Sequence, residues 1–272
     1  MSIKLIVSDI DGTLQPFHGE ISKRTRDAVR ACADHGVTFC IATGRWFITA
    51  LDAAQALGQT DGCMIIASGG QIVRMDASTL AEWYIPEEKA WQVYEVLRRY
   101  DVMFNVYTRG AFFRLNTAAY HRRENEPTSY LGGAYRVSLD DREDFEKHAL
   151  KHPSKLEIYA RNEGQFGEIR EILTAQGFCV TSSHHSNLEI GIPGLDKGTA
   201  VKWLANHLGV SREECLAMGD NTNDRSMLDA VGWSVAMGNA VPELKAAARI
   251  VAPDAADDGA AQIIERALEG RL

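Results

Sequence analysis

The sequence predicts an α/β protein: a doubly wound parallel sheet interrupted by an inserted α+β module. Three observations carry that prediction. Short apolar runs alternate with helix-length segments at both ends of the chain. The rhythm breaks near Trp83 and resumes after Ser186. Two aspartates, Asp9 and Asp11, close the first apolar run, where a sheet of this class places its site.

The elements follow in order. Ile3 to Ser8 is the first expected strand. Ser22 is placed to cap a helix running to His35, with Gly36 as its stop. Val37 to Ala42 is a second buried strand. Trp46 to Leu57 reads as a helix closed by Gly58, and Cys63 to Ala67 as a third strand. Strands and helices of these lengths imply parallel pairing with both faces covered. After Trp83 come a helix opened by Pro86 (Glu87 to Tyr100) and strand-like runs at Met103 to Tyr107 and Phe112 to Leu115. A polar stretch, Asn116 to Gly133, has no assigned element. A charged helix (Asp141 to Lys151), a strand (Leu156 to Ala160), a helix (Gln165 to Gln176) and a strand (Phe178 to Ser182) complete the module. The alternation then returns: helix Lys197 to Leu208, strand Cys215 to Met218, helix Ser226 to Val231, strand Ser234 to Met237 and helix Asp258 to Leu268. The expected organisation is a discontinuous core, residues 1–82 and 187–272, around an inserted domain, residues 83–186.

Size agrees with this division. The 272 residues suffice for a core domain and a second module of about 100 residues. Apolar content of 45% and charged content of 24% are those of a globular chain. The net charge of −8, without a basic run, argues against a nucleic-acid partner. No apolar stretch approaches the roughly 20 residues that span a bilayer, and no secretory leader is visible, so a cytoplasmic protein without a membrane partner is expected. The five scattered cysteines read as reduced core residues.

Four fragments carry chemistry. Asp9 ends a strand, and Gly12 allows the chain to turn away. A carboxylate there can attack a phosphoryl group, and its neighbour Asp11 can supply the proton a leaving oxygen needs. Two adjacent carboxylates also call for a cation, and Mg²⁺ is a hard, oxygen-loving ion. Asp220 follows the strand Cys215 to Met218, with Asn223 and Asp224 at the next helix start, so this fragment can complete a metal or anion site. Thr43 and Gly44 follow the second strand and can grip a phosphoryl oxygen. Lys197 opens a helix, an odd place for a cation against the helix dipole unless an anion lies nearby.

Each fragment alone has a plainer origin. Asp9 and Asp11 could be capping aspartates of a turn, or, with Glu20, part of a calcium loop, although Leu14 stands where such a loop needs glycine. Thr43-Gly44 could be an ordinary strand–helix junction, Lys197 a solvated lysine, and Asn223-Asp224 a helix cap. Other residues are better read as structural. His148 and His152, four apart, suggest a solvated helix end more than a zinc pair, and His184-His185 a surface loop. Phe112, Phe113, Tyr120, Tyr130, Arg122 and Arg123 fit module core or surface.

Together, Asp9-Ile-Asp-Gly-Thr-Leu, Thr43-Gly-Arg, Leu188-Glu-Ile, Asp196-Lys-Gly-Thr, Gly219-Asp-Asn-Thr-Asn-Asp and Val235-Ala-Met-Gly-Asn-Ala resemble the haloacid dehalogenase superfamily, in its Cof-type sugar-phosphatase branch. The resemblance covers essentially the whole chain. It implies a Rossmann-like core with a large α/β cap inserted after the third strand, closing over the site and choosing the leaving group. It implies Asp9 as nucleophile and Asp11 as general acid, then base. Mg²⁺ would be held by the Asp9 carboxylate, the Asp11 carbonyl and the Asp220 carboxylate. Phosphate would meet the Ile10 amide, Thr43, Gly44, Lys197 and Asn223, while Asp224 would orient Lys197 or the metal's waters. Relatives usually carry Asn-Gly where this chain has Ser68-Gly69. The function implied is Mg²⁺-dependent hydrolysis of small phosphorylated metabolites, sugar phosphates foremost. A phosphosugar mutase or a non-catalytic phosphate-binding protein are the other readings.

Overall fold

The structure, a computed structural model, describes residues 2–116, 136–160, 163–182 and 187–272. Strand β1 (Leu5–Ser8) is buried along its length, as its four-residue LIVS run requires. Ser22 caps helix α1 (Lys23–Asp34) by accepting from the Thr25 amide. Strand β2 (Thr38–Ala42), helix α2 (Phe47–Ala56) and strand β3 (Cys63–Ile66) follow. A tight 3₁₀ turn, Ala67–Gly69, leads into β4 (Gln71–Arg74) and β5 (Thr79–Glu82).

Next come α3 (Glu87–Leu97), β6 (Val102–Thr108), β7 (Ala111–Asn116) and β8 (Arg136–Leu139). A single turn, α4 (Arg142–Asp144), widens into a π-helical turn, Phe145–Ala149. Then follow β9 (Pro153–Ala160), α5 (Glu163–Ala175), β10 (Cys179–Thr181) and β11 (Asn187–Gly191). The chain continues with α6 (Lys197–Leu208), β12 (Cys215–Gly219), α7 (Arg225–Asp229), β13 (Trp233–Ala236), α8 (Pro242–Ala247), β14 (Ile250–Val251) and α9 (Gly259–Leu268).

Two compact units result. One joins Met1–Ala81 to Asp196–Leu272, and the other is Glu82–Leu195. The first holds a sheet ordered β14-β13-β12-β1-β2-β3-β4-β5. Its central pairs, from β14 to β3, are parallel, and β4 turns back antiparallel on β3. Central strands carry the core: Leu5, Ile6, Val7, Ile41 and Leu216 have no exposed surface. Each such side chain contributes about 1.5–3 kcal/mol by leaving water.

The second unit holds a sheet ordered β10-β11-β9-β6-β7-β8. Its pairs are antiparallel except β7 with β8. One face is apolar and includes Phe104, Ile158 and Leu188, packed with Tyr94 and Phe145. The alternate residues are polar. Lys155 lies 3.2 Å from Glu157 and 3.1 Å from Glu189, while Tyr107 and Asn187 donate to Glu157. Buried charges persist only when paired and hydrogen-bonded in this way.

Several expectations shift. The return to the core was expected at residue 187, but the unit boundary falls after Leu195. The cause is β11, which pairs with β9 and β10 and contributes Asn187 and Glu189 to the polar face. Strands β4, β5, β8, β11 and β14 and helix α8 go beyond the sequence reading, most being short or lacking a clear apolar period. His152 lies beyond the π-turn and packs on Tyr84, and His148 sits 3.9 Å from Asp144, so the two do not form a metal pair. Phe113 belongs to the second unit's core, as expected, and Phe112 packs on Tyr107. Tyr120, Arg122, Arg123, Tyr130, His184 and His185 lie outside the described residues. No helix among the described residues is long and apolar enough to cross a membrane.

Helices α6 and α7 meet where Gly198 faces Ser226: a Cβ on Gly198 would collide with the Ser226 carbonyl. Gly198→Ala is expected to destabilise the protein by about 1–3 kcal/mol through overpacking. Denaturant unfolding reads this as a lower midpoint. An unchanged midpoint would mean that the two helices are free to separate.

Candidate active site

Apart from Lys197, which opens helix α6, the groups of the site stand at the carboxyl ends of parallel strands or just beyond them. Asp9 follows β1, and its amide still pairs with the Met218 carbonyl at 3.0 Å. The chain then curls. The Ile10 carbonyl accepts from the amides of Thr13, Leu14 and Gln15, and Gly12 takes a positive φ of 84°. Only glycine fits there, because a Cβ would strike the Asp220 carboxylate.

Asp220 follows β12, and its Oδ1 accepts from the Thr13 hydroxyl at 3.1 Å. Asp224 is folded underneath by a capping turn: its Oδ2 accepts from the amides of Asp220 (3.0 Å) and Asn221 (3.2 Å). Gly219 makes room for this turn, since a Cβ there would lie 2.5 Å from that of Asp224. Asn223 occupies the same turn and is half-buried.

Lys197 joins these groups. It is the first residue of α6, whose start is capped by Asp196 accepting from the Thr199 amide. Its side chain is 1% exposed, and its Nζ lies 2.6 Å from Asp9 Oδ1 and 2.6 Å from Asp224 Oδ1. The anomaly visible in the sequence, a cation at a positive helix end, is thereby resolved by two buried carboxylates. Burial pulls the ammonium down, but Asp224 and Asp9 outweigh it, so the Lys197 pKa is held above the ordinary lysine value.

Asp11 stands apart from this cluster. Its carboxylate is half-exposed and is gripped by Arg45 through two bonds, Nε to Oδ2 at 3.0 Å and Nη2 to Oδ1 at 2.5 Å. Arg45 in turn donates its amide to the Thr43 hydroxyl at 3.1 Å. Thr43 is buried at the end of β2, with Gly44 in the bend between it and Arg45. The Thr43 carbonyl accepts from the Ser68 amide, tying the bend to the turn after β3. Ser68 holds a left-handed conformation (φ 55°, ψ 32°). Asparagine tolerates that region better than serine does, so this chain carries strain where the resemblance expected Asn.

Thr13, Arg45 and Asn239 stand within the quoted motifs, and the sequence assigns none of them a role. Arg45 could have been found from its pairing potential with Asp11. Asn239 donates to the Gly12 carbonyl at 2.8 Å and accepts from Ala255, a long-range contact with no local signature.

Asp9, Asp220 and Asp224 offer oxygens all within 4.8 Å of one another. Asp224 is committed to Lys197 and two amides. Among the described residues, Asp9 Oδ2 and Asp220 Oδ2 have no protein donor. Burial pushes the Asp9 carboxyl up to about 7, with Asp224 adding to the effect and Lys197 opposing it. Burial, Asp9 and Asp224 push Asp220 up to about 8. Two buried acids that resist ionisation side by side, each with a spare oxygen, fit a hard divalent cation.

This predicts a pH dependence. Both folded-state values lie above the roughly 3.9 of an unfolded aspartate, so the folded protein binds the protons more tightly. Their contribution to stability is complete below about pH 4 and is lost progressively as pH rises from there to about 8. In chelator, the melting temperature should fall over that interval relative to the same protein in excess Mg²⁺. Parallel curves with and without Mg²⁺ would show that these carboxyls do not hold the ion.

Comparison with known proteins agrees with this geometry. Residues 6–264 match the haloacid dehalogenase-like hydrolase family. The chain is 27% identical to 5-amino-6-(5-phospho-D-ribitylamino)uracil phosphatase YcsE of Bacillus subtilis, over 97% of this chain and 95% of that one. It is 26% identical to HMP-PP phosphatase of Yersinia pestis, over 89% and 86%. A crystal structure of a haloacid dehalogenase-like hydrolase from Bacteroides thetaiotaomicron superposes with a TM-score of 0.80 at 28% identity, covering 97% of this chain and 99% of that one. With its strand-end aspartates, buried lysine and matching length, the chain belongs to the haloacid dehalogenase-like hydrolases.

Proposed function

We propose that this hydrolase is a Mg²⁺-dependent phosphatase of small phosphate monoesters, sugar phosphates foremost, working through an aspartyl-phosphate on Asp9. The observation that carries the reading is the contrast between two neighbouring aspartates. Asp9 is buried and bridged by Lys197, while Asp11 is half-exposed and steered by Arg45. One is a fixed nucleophile, and the other is free to exchange protons with substrate and water. The relatives named above as phosphatases act, by their names, on small phosphorylated compounds, which supports a substrate of that size.

The steps follow from the groups in place. A carboxylate oxygen of Asp9 attacks phosphorus, and the bond to the leaving oxygen breaks. Protonated Asp11 gives its proton to that oxygen, so the alcohol departs neutral. Asp11, now a carboxylate, takes a proton from water as the water attacks phosphorus, which frees Asp9 and releases phosphate. At rest Arg45 holds Asp11 in place with two bonds, one of which must yield for the carboxyl to turn to its target.

Lys197 stabilises charge on the phosphoryl oxygens while also pinning Asp9. The Ile10 amide, Thr43, Gly44 and Asn223 are assigned to the same oxygens. Asp9 and Asp220, with the Asp11 carbonyl, would hold Mg²⁺, which offsets the combined negative charge of phosphate and carboxylates. Asp224 acts through Lys197 rather than on the substrate.

Two variants test this. Asp9→Asn should fold, yet lower Mg²⁺-dependent hydrolysis of p-nitrophenyl phosphate by ~10³-fold or more, as loss of a nucleophile does elsewhere. A folded Asp9→Asn protein with ordinary turnover would remove Asp9 from the mechanism. Asp11→Asn should lose ~10²–10⁴-fold in turnover while its affinity for inorganic phosphate persists. Full activity in that variant would assign proton transfer to another group.

A further inference from the structure

Apart from the aspartate cluster, two thiols lie in register on neighbouring strands. Parallel strands β2 and β3 pair Ile41 with Met64 and Ala42 with Ile65. Carried back one residue, the same register sets Cys40 level with Cys63, on one face of the sheet. Strand β4 adds a third member to the row, because Cys63 pairs with Arg74. Paired strands run about 4.7–4.9 Å apart, within the Cα separation of about 4.4–6.8 Å that a disulfide spans. Both cysteines are reduced in this structure. Cys40 is fully buried and Cys63 is half-buried.

We propose that Cys40 and Cys63 form a peroxide-reactive dithiol, in which Cys63 is oxidised by a hydroperoxide and Cys40 captures it as a reversible disulfide.

The roles follow from position. Cys63 is the member that solvent reaches, and its neighbour across the next strand is a guanidinium. The neighbouring Cys40 thiol, joined by the charge of Arg74, draws the Cys63 thiol below its usual range against the opposing effect of burial. Cys40, whose Sγ donates to the Ile41 carbonyl at 3.4 Å, is pushed well above that range by its thiol neighbour and by burial. A thiolate beside a cation is the reactive form of cysteine.

The chemistry balances. The Cys63 sulfur attacks one peroxide oxygen, an S–O bond forms and the O–O bond breaks. The departing hydroxide takes a proton and leaves as water, and Cys63 becomes a sulfenic acid. The Cys40 sulfur then attacks the Cys63 sulfur, the S–O bond breaks, and the hydroxyl departs with the Cys40 proton as a second water. The sum is two thiols and one peroxide giving one disulfide and two waters. The peroxide is the electron acceptor, and a small dithiol reverses the step. The crosslink would stitch together the two strands that end at Thr43 and at the Ala67–Gly69 turn.

Peptide mapping of the full chain tests this. The folded protein is treated with hydrogen peroxide, its remaining thiols are alkylated in denaturant without reductant, and it is digested. The expected result is loss of two of the five thiols, a peptide joining Cys40 to Cys63, and recovery of both thiols with dithiothreitol. In Cys40→Ser, dimedone should trap a sulfenic acid at Cys63, whereas Cys63→Ser should leave Cys40 unreacted. The proposal is overturned if wild-type Cys40 and Cys63 stay free while exposed Cys179 reacts, or if Cys63 is oxidised without ever joining Cys40. The wild-type map decides even where a variant does not fold.

Discussion

The buried ammonium of Lys197 is the contact on which the site depends. It lies between Asp9 and Asp224, and neither carboxylate is tolerable in its place without it. Removing one partner of a buried charge pair typically costs about 3–5 kcal/mol, because the other is left uncompensated. The pair is thus less a source of net stability than a device that fixes geometry. It fixes one oxygen of Asp9 at 2.6 Å from the ammonium. It also anchors the start of α6, whose dipole would otherwise repel a cation.

The rest of the first unit serves to deliver these groups. Strands β1, β2 and β12 are adjacent and parallel, so their carboxyl ends come out on one edge of the sheet. Thr13 and Asp220, 207 positions apart along the chain, are thereby brought within 3.1 Å. Glycines at 12 and 219 remove side chains where carboxylates must crowd, and the capping turn at Asn221–Asp224 aims backbone amides at Asp224. Net negative charge is then concentrated in a dry place, a condition that the proposed divalent cation would relieve.

Much of this was legible in the sequence, for identifiable reasons. Buried parallel strands leave unbroken apolar runs such as Leu5–Ser8, and the turn residues after them, Asp9, Thr43 and Asp220, announce themselves by interrupting such runs. Lys197 was legible as a conflict with the helix dipole. Arg45 was harder, because its partner Asp11 is 34 residues away and the pairing exists only once β1 and β2 are side by side. Asn239 stands in a quoted motif, but its bond to the Gly12 carbonyl is invisible for the same reason. The boundary between units was misplaced because β11 is apolar at Leu188 and Ile190 like a core strand, while Asn187 and Glu189 take part in the polar network of the other sheet.

The central claim is that the phosphoryl group passes through the Asp9 carboxylate. Mixing the enzyme with a phosphate monoester and Mg²⁺, quenching in acid within a single turnover, and mapping the peptides by mass tests it directly. The account predicts an acid-stable, base-labile gain of one phosphoryl group on the peptide containing Asp9. A label confined to serine, threonine or histidine, or product formation with no labelled peptide under conditions where a standard acyl phosphate survives, would contradict it.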